Sequence, residues 1–339
     1  MTSAGPSTAG LGTRRRGLLL HGITGFVLRR SLLGLLTLFL VSIVVFAATQ
    51  ALPGDAARAI LGRTATPDSL AALRKQLHLG EPMLQQYVHW LGRFLRGDLG
   101  NSLAANEPVT TLLGTRIENS AVLVFLSALI STPLAIVLGA VSARRRDRPF
   151  DHAASITMLT LAALPEFVVG LCLVVLFGTT VFKILPAVSL IAPNEAPWTH
   201  PKDLILPTLT LVIAVCPYTA RIMRASMVEV LESDYVEMAR LKGLAEQRVV
   251  WRHAVPNAIA PTIQVTALNL AYLAGGIVVV EYVFGYAGVG SALVDAVHNR
   301  DVPVVQALAL MIAAIYIVLN VVADVAAILV SPRLRTSLK

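Results

Sequence analysis

The sequence predicts an all-α integral membrane protein with six transmembrane helices, and three observations lead there. Apolar residues (AVILMFWYC) make up 55% of the 339-residue chain and charged residues only 14%, against about 25% charged in a soluble domain. Six apolar runs stand at 32–52, 120–141, 155–181, 204–223, 263–283 and 304–330, each close to the roughly 20 residues that a bilayer-spanning helix needs. A buried core helix would account for one such run; six call for lipid, where every backbone polar group must be satisfied inside its own helix. The third observation is the placement of charge. Arg14, Arg15, Arg16, Arg29 and Arg30 precede run one, Arg144, Arg145, Arg146 and Arg148 follow run two, more follow run four, and Arg333, Arg335 and Lys339 close the chain. Six crossings put all four clusters on one side, which the positive-inside rule assigns to the cytoplasm together with both termini. The formal charge of +8 is thereby explained without nucleic acid.

The elements follow in chain order. The leader MTSAGPSTAGLGT is small and polar, so residues 1–28 are expected to be a disordered cytoplasmic N-terminus. Run one is too long for a signal-peptide core and lacks a cleavage site, so it is expected to stay as helix one. An external segment, 53–119, comes next. Thr66-Pro67-Asp68 has the form of an N-cap followed by a first-turn proline, ahead of Leu70, Leu73 and Leu77 on one helical face. A second helix is expected from Pro82, with Leu84, Tyr87, Val88, Leu91, Phe94 and Leu95 in one stripe. Trp90 and Arg93 suit a membrane surface. The segment serves either as a cap on the helix bundle or as a contact for an external partner.

Helices two to five carry the informative polar and breaking residues. Pro133, Pro165, Pro207 and Pro217 each remove a backbone donor and bend a helix where neighbours tolerate it. Glu166 lies well inside run three, at a depth where a carboxylate turns to the bundle interior or to water. Its residue type fits a solute pathway or a structural hydrogen bond. Glu281 and Asp324 stand nearer helix ends, within reach of the headgroups. Cys172 and Cys216 both fall inside apolar runs and read as small packing residues, not as a disulfide framework.

The chemistry of a catalytic site is missing. There is no G-x-x-x-x-G-K-[ST] phosphate loop, no H-E-x-x-H zinc pair and no G-x-S-x-G elbow. GYAGVG at 285–290 follows an apolar run on the external side and reads as a turn. No cofactor or metal is expected in this polypeptide. Nor is there the internal repeat common in secondary transporters.

One stretch resists the lipid reading: EMARLKGLAEQRVVWRHAVP, residues 237–256, which interleaves Ala239, Leu241, Leu244, Val249 and Trp251 with Glu237, Arg240, Lys242, Glu246, Arg248, Arg252 and His253. Glu237-Met238-Ala239, then Gly243, then His253-Ala254-Val255-Pro256 resembles the E-A-A, three residues, G, nine residues, I-x-L-P loop of ABC-transporter permeases. The departures are Met238, His253 and Val255. LPGD (52–55), ALRKQLHLGEPMLQQYVHWLGRFLRGDLGNSL (72–103), DLILPTLTL (203–211), ARIMRASMVEVLESDYVEMARLKGL (220–244) and LAGGIVVVEYVF (273–284) are similar to the binding-protein-dependent dipeptide, oligopeptide and nickel branch, of the dipeptide permease B type. The resemblance runs from 29 to 335, one permease domain. Ala287 stands where that branch has proline, and Ser331 where it has aspartate.

What the resemblance implies is specific. The loop at 229–260, between helices four and five, is a cytoplasmic coupling element that docks on an ATP-binding subunit. Glu237, Ala239, Arg240, Gly243, Leu244 and Pro256 are its docking residues. Glu166, Pro165 and Pro217 are candidates for the translocation path. The partners implied are a second permease subunit, two ATP-binding subunits that carry the nucleotide, and an external solute-binding protein. The implied solute is a short peptide or a similar small molecule, and the implied location is a bacterial inner membrane. Two rival classes are a proton-coupled secondary transporter working through Glu166 and a membrane assembly protein without transport. The first lacks a repeat and a second mid-membrane carboxylate.

Overall fold

The computed structural model describes residues 9–50, 66–68, 70–71, 81–192 and 195–330, with side chains from residue 25 onward except at 271, 274–276 and 326–330. Among the described residues the chain is helical, with one isolated antiparallel bridge between Asn101 and Pro108. Helix α1 is Ala9–Gln50. It begins well before residue 28, where a disordered leader is expected: the arginines and leucines at 14–20 are good helix formers. Residues 1–8 lie outside the described part. So do most of the first helix anticipated in the external segment, at Leu73 and Leu77, and the tail with Ser331.

Helix α2, Met83–Leu95, starts after Pro82 as its sequence indicates. It lies on α1: the Tyr87 and Ser42 hydroxyls are 2.7 Å apart, and the Phe46 ring is 5.4 Å from Tyr87 and 5.5 Å from Trp90. That contact makes α2 a cap on the first span. Leu84, Val88 and Leu95 of the anticipated stripe nevertheless face outward.

Helix α3 is Val109–Arg144, eleven residues longer at its start than the apolar run. Its first turns are held by protein, not lipid: Val109 and Leu113 pack with Val289, Ala292, Ala296, Val304, Ala307 and Leu308. Run three is broken into α4, Pro149–Ala163, and α5, Glu166–Leu173, which continues as a π-helical turn to Thr179. The two halves meet at 104° across Leu164-Pro165, because the proline ring excludes the helical conformation for Leu164. Helix α6, Pro201–Leu231, runs unbroken through Pro207 and Pro217. It packs closely on α3, where a Cβ at Gly139 would stand 2.6 Å from the Ala220 carbonyl oxygen.

Helix α7, Asp234–Leu241, leads through one helical turn at Glu246–Arg248 and a π-helical turn at Val249–Ala254 into α8, Val255–Phe284. α8 ends at Gly285, which takes φ +60°, so the GYAGVG stretch does begin as a turn. The chain then continues as α9, Val289–His298, at 77° to the end of α8. Helix α10, Val302–Val330, closes the bundle against α8 and α1. The Arg30 Nε to Asp324 Oδ2 ion pair, 2.5 Å, ties α10 to α1. Four described helices are long and apolar enough to cross a membrane, and each bent pair counted as one span brings the number to six.

The central core joins α3, α5, α6 and α8 through Leu123, Val169, Leu206, Leu211, Leu273 and Phe284. Glu281 is fully buried beside it, which corrects the expectation that it reaches the headgroups. The start of α9 covers it, and the Glu281 carboxylate accepts from the Ser120 hydroxyl at 2.5 Å and from the Gly290 and Ser291 amides at 2.7 and 3.1 Å. Asp301, also buried, accepts from the Ser102 hydroxyl and from the Leu103 and Ala104 amides at 3.1 and 3.2 Å. Two carboxylates thus fasten the α9 hairpin to the segment around the start of α3.

Candidate functional site

The sequence between α6 and α8 folds as a compact unit beyond the end of the bundle. Glu232 ends α6, and Ser233 turns to an extended conformation at φ −80°, ψ 148° before α7 begins. Asp234 and Glu237 fall in the first turn of α7 and Arg240 in its last, each with the sign that the helix dipole favours. Val236, Ala239 and Val249 are buried together against Val230, Leu231 and Leu244.

The end of α7 explains the Ala239-to-Gly243 spacing of the motif. Gly243 has φ +76°, and a Cβ added to it would meet nothing within 4 Å, so glycine is required for conformation and not for room. Its amide donates to the Arg240 carbonyl at 2.9 Å, and the next amide, Leu244, donates back to Ala239 at 3.4 Å. These are the two hydrogen bonds of a Schellman cap, whose usual apolar contact joins the residue after the glycine to the start of the last turn. Ala239, Gly243 and Leu244 are therefore one device, and Ala239 and Leu244 face the bundle side of the loop instead of its outer side.

Arg240 braces the unit. Its Nε and Nη2 donate to the two Glu246 oxygens at 3.2 and 3.0 Å, and Nη1 donates to the Leu231 carbonyl at 3.3 Å. This bidentate pair holds the Glu246 carboxyl below its ordinary value and raises the Arg240 guanidinium. Arg146 ties the preceding α3–α4 turn to the same place through Glu232. Glu237 and Pro256 are exposed, the second in the first turn of α8.

Four residues of this unit stand outside the set of docking positions that the motif supplies. Tyr235, Met238 and Leu241 of α7 are 45%, 56% and 75% exposed, and Trp251 is 41% exposed. The first three stand at a spacing of three on one outward face. That i, i+3, i+6 pattern is legible in the sequence, but comparison with E-A-A makes Met238 only a departure.

The membrane candidates fall in two places. Pro165 and Glu166 form the α4–α5 break, Pro165 exposed as the N-cap of α5. The Tyr272 hydroxyl of α8 donates to Glu166 Oε2 at 3.2 Å. Pro217 is buried inside α6 beside the exposed Tyr218. Closer to the α7 end, Arg224 of α6 grips the buried Asp151 of α4 with bonds of 2.7 and 2.5 Å, a pair with no counterpart among the sequence candidates.

A bundle of spanning helices with a broken third span, a bent helix pair at one end and a capped helix with an exposed apolar face at the other defines a polytopic membrane protein. Residues 135–336 match the family described as binding-protein-dependent transport system inner membrane component, and residues 23–132 match its N-terminal companion. The chain is 35% identical over 312 residues to the probable peptide ABC transporter permease protein y4tP of Sinorhizobium fredii, covering 91% of this chain and 99% of that protein. It is 36% identical over 311 residues to the glutathione transport system permease protein GsiC of Escherichia coli K12, covering 91% and 98%. The GsiC protein of Salmonella choleraesuis stands at the same 36% over 311 residues. The chain belongs to the family of binding-protein-dependent transport system inner membrane components, as a permease subunit of an ABC transport system.

Proposed function

We propose that this chain forms half of the translocation path of an ATP-driven importer for short peptides or similar small solutes in a bacterial inner membrane. Its assembly comprises a second permease, two ATP-binding subunits and an external solute-binding protein. The observation that carries the reading is the outward face of α7, where Tyr235, Met238 and Leu241 project from a rigid, capped and braced helix. Such a face buries well in a partner's groove, where exposed aromatic and Met side chains act as anchors. The basic clusters support a cytoplasmic side for this face and for both termini, within reach of a nucleotide hydrolase. The solute class is supported by the names of the relatives, one a peptide permease and one a permease for the tripeptide glutathione.

On this reading the ATP-binding subunits move α7, and the motion passes directly into α6 and α8, between which the unit is strung. Glu166 and Pro165 stand at the broken third span, beside the path. The test is uptake of labelled trialanine and glutathione by cells with the gene deleted, then restored with the wild-type chain or with Leu241→Asp. Loss on deletion, recovery with the wild type and failure of L241D despite normal membrane insertion are expected. Full uptake with L241D overturns the docking assignment, and undiminished uptake in the deletion strain overturns the solute class.

A further inference from the structure

Between α4 and α6 lies a groove of about 440 Å³ whose polar lining includes Ser155, Tyr218, Arg221 and Arg224. The groove opens ten residues from the end of α6 that carries the coupling unit, about 15 Å along the helix axis. Two arginines one turn apart are in different situations there. Arg224 is committed to Asp151 by the bidentate pair. Among the described residues Arg221 has no hydrogen bond or ion pair, and neither the Tyr218 nor the Ser155 hydroxyl has a hydrogen-bond partner. A guanidinium on a membrane-spanning helix is retained only facing water, a lipid headgroup or an anion. Here it faces a groove with two uncommitted hydroxyl donors and no uncompensated carboxylate in its lining. The planar fork of arginine matches a carboxylate with two parallel hydrogen bonds.

We propose that this groove is an anion-binding station on the inner half of the path, in which Arg221, aided by Tyr218 and Ser155, holds the carboxylate of the solute in transit. The inference rests on the peptide-importer reading. It assigns to α4 and α6 a polarity opposite to that of Glu166 beyond the Pro165 break, so a zwitterionic peptide meets an acidic group and a basic group at separate points of one subunit.

The test uses the whole importer in lipid nanodiscs, with Ser155→Cys placed in a Cys172→Ser background. The rate of modification at position 155, divided for each reagent by its rate with a free thiol in solution, is compared for an anionic methanethiosulfonate (ethylsulfonate) and a cationic one (ethyltrimethylammonium). A basic groove concentrates anions, so the anionic reagent should react faster by about tenfold or more. Arg221→Gln should remove that preference and Arg221→Lys should keep it. Trialanine should slow the modification, while trialanine amide, which lacks the carboxylate, should not. Equal rates for the two reagents with Arg221 intact overturn the proposal, as does equal protection by the acid and the amide. Protection by phosphatidylglycerol in the nanodisc and none by trialanine also overturns it, and assigns the groove to a lipid phosphate. Uptake of trialanine by the importer with its native Ser155 is measured separately. An importer that carries trialanine through a groove without charge preference sinks this inference alone, whereas one that carries no peptide sinks the solute class.

Discussion

Replacing Gly243 by valine tests the coupling unit at its most exacting point. Gly243 holds φ +76° with open space around it, so the substitution introduces no clash with a neighbour and its whole effect is conformational. An L-residue in the left-handed region costs about 1–2 kcal/mol, and β-branching adds to that by restricting χ1. One to two kcal/mol lowers the population of the capped loop by roughly 5–30-fold relative to open forms. The Leu244 amide, which donates to Ala239 in the cap, should exchange its hydrogen faster by the same factor. Gly243→Asn should do less, because asparagine visits this region readily. The assays are hydrogen exchange at Leu244 and the ratio of solute uptake to ATP hydrolysis in the reconstituted importer. Gly243→Val should stay assembled in the membrane yet lose coupling, and Gly243→Asn should fall between it and the wild type. Exchange and coupling unchanged by valine would refute the argument that the glycine is there for its backbone angle.

Two further perturbations follow from the polar contacts. Glu281→Gln replaces one acceptor oxygen by a donor in a site where a hydroxyl and two amides all point at the carboxylate. Either orientation of the amide leaves a buried donor unmatched, at about 1–3 kcal/mol, so the variant should assemble with a lowered melting temperature, and an unchanged melt would show the network to be unimportant. The Arg240–Glu246 pair should contribute to loop stability above the ordinary carboxyl value and lose that contribution as pH falls through the depressed value, because the folded Glu246 carboxyl sits below 4.5. Both side chains are about two-fifths exposed, at 42% and 41%, so the effect is about 1 kcal/mol or less. The difference in thermal stability between wild type and Glu246→Gln should be present at about pH 6 and shrink toward about pH 4, and a difference that grows in acid would contradict the pairing.

How much of this is legible in the sequence differs from element to element, for physical reasons. Lipid makes spanning segments long and uniformly apolar, so each of the six runs lands on a helix and the break at Pro165 falls where the proline stands. The ten residues of α9 escape a hydropathy reading because the helix is short and is interrupted by Ser291, Asp295 and His298. That omission also misplaces Glu281, whose position near a helix end suggests headgroups as long as the α9 that covers it is not foreseen. The start of α3 at Val109 is hidden because those turns are stabilised by α9 and α10, and long-range packing leaves no local periodicity to count. In the coupling unit the spacing from Ala239 to Gly243 is readable as a motif, whereas its meaning as a helix cap needs backbone angles. The outward residues Tyr235, Met238 and Leu241 are readable by helical period alone. The Arg224–Asp151 pair joins positions 73 residues apart, and nothing local announces it.

The fastening of the α9 hairpin has a mechanical consequence. Glu281 belongs to α8, yet it is bound to Ser120 of α3 and to the first amides of α9. Asp301, just ahead of α10, is bound to residues 102–104. Five pieces of chain at that rim are thereby held together, three by Glu281 and two by Asp301. At the opposite end the chain passes from α6 to α8 through α7 and its turns, and Val250, Ala254, Val255 and Ala258 pack there against Ala140, Ala143, Met223 and Met227. One rim is thus locked by buried hydrogen bonds and the other by apolar packing and ion pairs, so a displacement of α7 reaches α3, α6 and α8 together.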